Sequence, residues 1–238
     1  MRHLRRMTVI LVGALGLAMT ATAPAAEPDT ATTAQATRED IEWLDVWLPQ
    51  TNDHRLPRVL LIGDSITRGY YPEVEKALAG RASVARLSTS KSLGDPALLK
   101  EVALILSEER YEVIHFNNGL HGRGYSEAAY AQALPLVRAV ILRYAPGARL
   151  IWASTTDLRP SFEGDHPSLA RVIERNRLAA QWAAKNDIPV DDLFQIAAHH
   201  PEYHAHDGVH FAPEGYAALA AQVSSVISQA LTAQSKSN

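Results

Sequence analysis

Cysteine is absent from the 238-residue chain. That excludes disulfides, thiolate metal sites, a cysteine nucleophile and a lipid anchor on a lipobox cysteine. Long apolar runs are missing as well. The longest, Thr8 to Met19, falls short of the roughly 20 residues that span a bilayer. Basic residues are in no excess. The 23 Lys and Arg against 26 Asp and Glu leave a formal charge of -3, so nothing marks nucleic acid as a partner. No internal repeat is visible.

What is present suits one globular domain with a full core. Ahead of it, residues 1–25 read as a signal peptide. Arg2, Arg5 and Arg6 form a basic start, a short apolar stretch follows, and Ala23-Pro24-Ala25 supplies small residues before a cut. The expected location is therefore periplasmic or extracellular, with no membrane contact after cleavage. Residues 26–38 are small and polar and read as a flexible leader. Order is expected from Glu39, with the globular domain over 39–234. Trp43 and Trp47 stand four apart, as if on one helical face that packs the segment onto the domain. The other reading is a pair of exposed rings that stack on a sugar.

From Arg58 onward, strand and helix patterns alternate. Apolar runs over Arg58–Ile62, Ala82–Leu87, Val113–Phe116, Leu150–Ala153 and, weakly, Ile188–Leu193 read as buried strands. Helices are expected at Pro72–Ala79, from Asp95 or Pro96 to Glu108, from an N-cap at Ser126 to Tyr144, at Leu169–Lys185 and at Pro213–Leu231. The pattern predicts an α/β fold: a three-layer α/β/α sandwich around a five-stranded parallel sheet. Ligands bind such sheets at the carboxyl ends of the strands. Polar and glycine residues gather there: Gly63-Asp64-Ser65, then "KSLGDP" with Gly94, then "FNNGLHGRG", then "HDGVHF" before the last helix.

Those residues carry the parts of a serine hydrolase. A serine hydroxyl needs a base to take its proton. The base needs a carboxylate to orient it. The developing oxyanion needs donors. Ser65, His210 and Asp207 fit the first three roles. Donors are available from the backbone N–H of Ser65, the backbone N–H of Gly94 and the side-chain amide of Asn118.

In combination, "GDSIT" after the first strand, a glycine after the second, an asparagine after the third and "DGVH" before the last helix resemble the four blocks of the SGNH/GDSL hydrolases. The resemblance implies a flavodoxin-like sandwich, a serine esterase mechanism and neither metal nor cofactor. It implies Ser65 as nucleophile, His210 as base, Asp207 as its partner, and Gly94 and Asn118 in the oxyanion hole. The third block departs from the usual Gly-x-Asn-Asp: it reads Phe116-Asn117-Asn118-Gly119. Asn118 takes the asparagine place, with Asn117 as its rival. "HFNNGLHG" is similar to a bacterial subgroup associated with carbohydrate esters, which implies O-acetyl groups on an oligosaccharide as substrate, or a small-molecule ester. Lipid or thioester hydrolysis and acyl transfer also lie within the resemblance.

Other features have bland and sharp readings. Arg68, His121 and Arg123 are candidates for substrate contact, or solvated surface charge. Five histidines cluster in "HHPEYHAHDGVH". They read as a solvated loop that delivers His210, with a zinc site as the rival. Asp64 is expected to support its turn, and Asn176 to be a satisfied polar group on the apolar face of its helix. A non-catalytic carbohydrate-binding protein on the same scaffold is the alternative from a different class.

Overall fold

The computed structural model describes residues 37–159 and 168–235. The expected signal segment and residues 26–36 of the leader lie outside them. Thr37 and Arg38 are already held: Thr37 N–H donates to Tyr125 Oη at 3.1 Å, and Arg38 Nε to Asp95 Oδ2 at 2.9 Å.

The elements in chain order are β1 (Leu44–Trp47), β2 (Arg58–Gly63), α1 (Ser65–Ala77), β3 (Ser83–Thr89), α2 (Pro96–Glu108), β4 (Val113–Asn117), α3 (Glu127–Tyr144), β5 (Arg149–Ala153), α4 (Leu169–Lys185), β6 (Val190–Asp191), α5 (Leu193–Ala198) and α6 (Pro213–Ser235). They build a six-stranded sheet in the order β1-β3-β2-β4-β5-β6, between two helical layers. β2 alternates between the two cores. Val59 and Leu61 join the one under α1 and α6, while Leu60 and Ile62 join the one under α2 and α3. The chain leaves β2 for β3 on one side and returns to β4 on the other. The switch point therefore falls at the carboxyl end of β2, next to Ser65.

Two expectations need correction. The sheet has six strands, because the Trp43–Trp47 segment is no helix. It forms β1, antiparallel to β3, with Leu44 opposite Thr89 and Trp47 opposite Arg86. Residues four apart share a side in a strand as well as in a helix, so the spacing did not discriminate. The backbone of β3's outer edge did: β1 satisfies its open N–H and C=O groups. The second correction concerns α1, which begins at Ser65 instead of Pro72. Asp64 caps it, its carboxylate accepting from Ile66 N–H at 2.9 Å. Pro72 sits inside and forfeits one helical hydrogen bond at Arg68, on the exposed side.

The remaining helices match closely. Asp95 caps α2 and Ser126 caps α3 through their side chains. Leu134, Val137 and Ile141 are buried as expected, while Tyr144 at the helix end stays 40% exposed. The weak last strand shrinks to Val190–Asp191, and the short α5 takes over the rest.

Candidate active site

The position of Ser65 follows from three consecutive residues. Gly63 ends β2 where a Cβ would come within 2.0 Å of Thr67 Oγ1, so only glycine lets the helix start so close. Asp64 is extended and caps α1. Ser65 is then the first helical residue, partly buried, with its N–H among the orphan donors of the helix start.

From the far end of the chain, the loop before α6 brings in His210. Gly208, at φ +72°, permits the tight turn, and Gly208 N–H donates to Ala205 O at 3.1 Å. His204 and Phe211 bridge as a short antiparallel pair, and Ala205 N–H donates to His210 O at 2.7 Å. The loop is also tied to the segment that follows β5, where Arg159 N–H donates to Gly208 O at 3.0 Å.

The result is a continuous chain of hydrogen bonds. Ser65 Oγ lies 2.9 Å from His210 Nε2, and His210 Nδ1 lies 2.7 Å from Asp207 Oδ2. With Nδ1–H donated to the carboxylate, Nε2 is left to accept the serine proton. Asp207 Oδ1 accepts from Val209 N–H at 3.0 Å and His210 N–H at 2.9 Å. Burial pushes the Asp207 carboxyl up. The hydrogen bonds from Val209 and from the His210 ring and N–H, together with the His210 charge, outweigh that and hold it at about 2. It is therefore an anion wherever histidine can act as a base.

At the carboxyl ends of β3 and β4, two loops are clipped together by one side chain. Asn118 Oδ1 accepts from Leu93 N–H at 2.8 Å, and its Nδ2 donates to Lys91 O at 2.9 Å. The turn so fixed runs from Ser92 to Asp95 and presents Gly94, whose N–H has no acceptor among the described residues. A Cβ on Gly94 would lie 2.6 Å from the Tyr125 ring, so the turn packs too tightly for a side chain. Asn117 points elsewhere, its Nδ2 donating to Ala153 O on β5 at 3.0 Å.

The three candidates for substrate contact separate. Arg68 is exposed on α1, its guanidinium 5.2 Å from the centre of the Trp43 ring. Arg123 is exposed, and its carbonyl accepts from Arg171 Nη1 at 2.7 Å. His121 differs from the expectation. It is buried, 5% exposed, and its Nδ1 lies 3.0 Å from both Glu39 oxygens. Burial would push His121 down, but the Glu39 hydrogen bond and the charges of Asp64, Glu39 and Glu42 together raise it. A raised histidine contributes stability that is complete below the unfolded value of about 6.5 and is lost as pH rises through its folded value. The thermal midpoint of the wild type should therefore fall between pH 6.5 and 9 by more than that of His121→Gln. Calorimetry across that range checks it, and parallel curves would remove this contribution.

The histidine-rich loop is not uniformly solvated. His204 is buried, with Nε2 3.1 Å from Asp157 Oδ1. His200 stacks on Tyr203 and pairs with Glu202. Among the described residues, no group of three His, Asp or Glu side chains could hold a metal ion. Asp64 and Asn176 have the roles read from the sequence: Asn176 forms a two-way clamp on Thr155, with Oδ1 to N–H and Nδ2 to C=O at 2.8 Å each.

One residue was missed. Arg175 is completely buried and reaches the carbonyls of Gly119 at 2.9 Å, His121 at 2.8 Å, Gly122 at 2.9 Å and Tyr125 at 3.3 Å. Its guanidinium lies 5.4 Å from the centre of the Tyr130 ring, whose hydroxyl donates to Asn118 O at 2.8 Å. Burial and the Arg171 charge lower it. The signal was legible: Arg175 interrupts the apolar stripe of Val172, Ala179 and Ala183 on α4.

The sequence matches no family model and no curated protein. Solved structures do match. The lipase/acylhydrolase from Enterococcus faecalis aligns with a TM-score of 0.59 at 21% identity, over 72% of this chain and 95% of that one. A carbohydrate esterase family 3 protein from Talaromyces cellulolyticus aligns with a TM-score of 0.59 at 15% identity, over 73% and 97%. A member of the lipolytic protein G-D-S-L family from Veillonella parvula aligns with a TM-score of 0.58 at 16% identity, over 72% and 98%. The chain has the fold of the SGNH/GDSL hydrolases.

Proposed function

We propose that this chain is an exported serine esterase that removes short acyl groups, acetate above all, from carbohydrate. The observation that carries the reading is the hydrogen-bonded chain from Ser65 through His210 to Asp207, at 2.9 and 2.7 Å. Ser65 Oγ attacks the ester carbonyl while His210 Nε2 takes its proton. The oxyanion is met by the N–H groups of Ser65 and Gly94 and by the amide of Asn118. Asn118 is preferred to Asn117 because its side chain holds the Gly94 turn. Collapse breaks the bond to the alcohol oxygen, which leaves with the proton from His210. Water then attacks the acyl-serine ester, again with His210 as base, and frees the carboxylic acid and Ser65.

Support for a carbohydrate substrate is the "HFNNGLHG" string, together with a solved relative in fold that is itself a carbohydrate esterase. Support for export is the pattern of residues 1–25, with 26–38 as leader and 39–234 as the hydrolytic domain. Among the described residues, no helix is long and apolar enough to cross a membrane. Mass spectrometry of acetylated xylan, pectin and alginate oligosaccharides should show loss of acetyl mass from at least one set. Intact acetyl mass on every set, with p-nitrophenyl acetate also untouched, would end the esterase reading.

One further outcome follows from the mechanism. The rate should be unchanged in EDTA, since no step uses a metal.

A further inference from the structure

Arg68 follows Ser65 by three residues on α1, so the two side chains share a helical face one turn apart. The partner that holds Arg68 comes from the edge strand. Val46 and Leu48 pack against the core under α2 and α3. Strand alternation therefore turns Trp43, Asp45 and Trp47 to the α1 side. Trp43 is fixed on both flanks: its N–H donates to Ser90 Oγ at 2.8 Å, and its carbonyl accepts from Ser90 N–H at 3.1 Å. The His121 ring meets it edge-on at 6.1 Å. The Arg68 guanidinium lies over this ring, 5.2 Å from its centre.

Stacking holds the guanidinium flat and leaves its N–H edge for a ligand. Among the described residues, the Arg68 side chain donates no hydrogen bond. Its ion-pair contact there is with Asp45 at 3.9 Å, and both side chains are well exposed, at 51% and 36%. Such a contact contributes little. Asp45 is moreover engaged by Arg86 at 2.8 Å. Two arginines therefore share one carboxylate, and Arg68, at 3.9 Å against 2.8 Å for Arg86, has the looser hold on it.

We infer that Arg68, positioned by Trp43, is a subsite for a carboxylate on the esterified saccharide, so that the preferred substrate is an acylated acidic sugar chain such as a uronate oligosaccharide. The guanidinium fork, loosely held by Asp45, matches a planar carboxylate through two parallel hydrogen bonds. The Trp43 face that carries Arg68 orients the cation instead of stacking on sugar. The inference rests on the esterase reading.

The test compares kcat/KM on acetylated oligogalacturonides with free carboxylates, on the same oligosaccharides methyl-esterified at those carboxylates, and on p-nitrophenyl acetate. The wild type should prefer the free acid to its methyl ester by about tenfold or more, the worth of a charge-assisted pair. In Arg68→Gln that ratio should fall to about one through a raised KM for the acid form, and Arg68→Lys should restore part of it. Because each ratio is internal to one protein, a general loss of activity does not move it. A wild-type ratio near one, a ratio that survives Arg68→Gln, or turnover of p-nitrophenyl acetate with neither oligosaccharide would overturn the subsite. No turnover of any of the three by the wild type would instead overturn the esterase reading.

Discussion

Ser65→Ala should lower kcat/KM for p-nitrophenyl acetate by about 10⁴- to 10⁶-fold, the range in which a nucleophile of this type acts. The physical reason is specific. His210 Nε2 is 2.9 Å from Ser65 Oγ and has no other acid to relay. Without the hydroxyl, only the oxyanion donors and binding remain. Stability should move little, because the side chain is partly exposed and caps nothing; Asp64 does the capping. The two measurements belong together: steady-state rates, and a urea midpoint to show that the fold persists. Undiminished acetate release from a folded Ser65→Ala protein would sink the serine mechanism. Asp207→Asn should fall between the wild type and Ser65→Ala, since the imidazole keeps its place on the serine but loses the anion that selects its tautomer.

Arg175→Met should destabilise the fold by about 3–5 kcal/mol, the range for a buried charge network that loses one member. Methionine fills much of the same volume but has no donors. Gly119, His121 and Gly122 would each lose a hydrogen bond of 2.8–2.9 Å in an interior where water cannot replace it. Arg171 cannot compensate, being bound to Arg123 O, Tyr125 O and Glu127. The same loop carries Asn118, so catalysis should weaken along with stability. Arg175→Lys should recover only part of the loss, because one ammonium cannot span carbonyls that a planar fork reaches together. Urea midpoints of the three proteins check this. A loss under about 1 kcal/mol for Arg175→Met would mean that the loop carbonyls find other donors.

Some of the architecture was legible because it is local. The caps at Asp95 and Ser126 and the proline that opens α6 each depend on residues a few positions apart. The buried strands β2 and β4 were readable because a strand covered on both faces is apolar throughout. Where local signals conflict, they failed. Pro72 suggested a helix start and lies inside one, because Asp64 caps α1 earlier. Trp43 and Trp47 satisfied helix and strand geometry alike.

For the site, the sequence determined the residue types that serine chemistry needs and their order along the chain: Ser65 after a strand, Asp207 and His210 in one short turn. Only the tertiary structure decided which groups meet. It joins Ser65 to His210 across 145 positions, turns Asn118 toward the Gly94 turn and Asn117 toward β5, and buries His121 on Glu39. It also sends Arg175 inward to hold a loop more than 50 positions away. The reason is the reach of each force. Caps and periodicity act within one or two turns of chain, whereas the pairing of a buried charge depends on which distant backbone the sheet brings beside it.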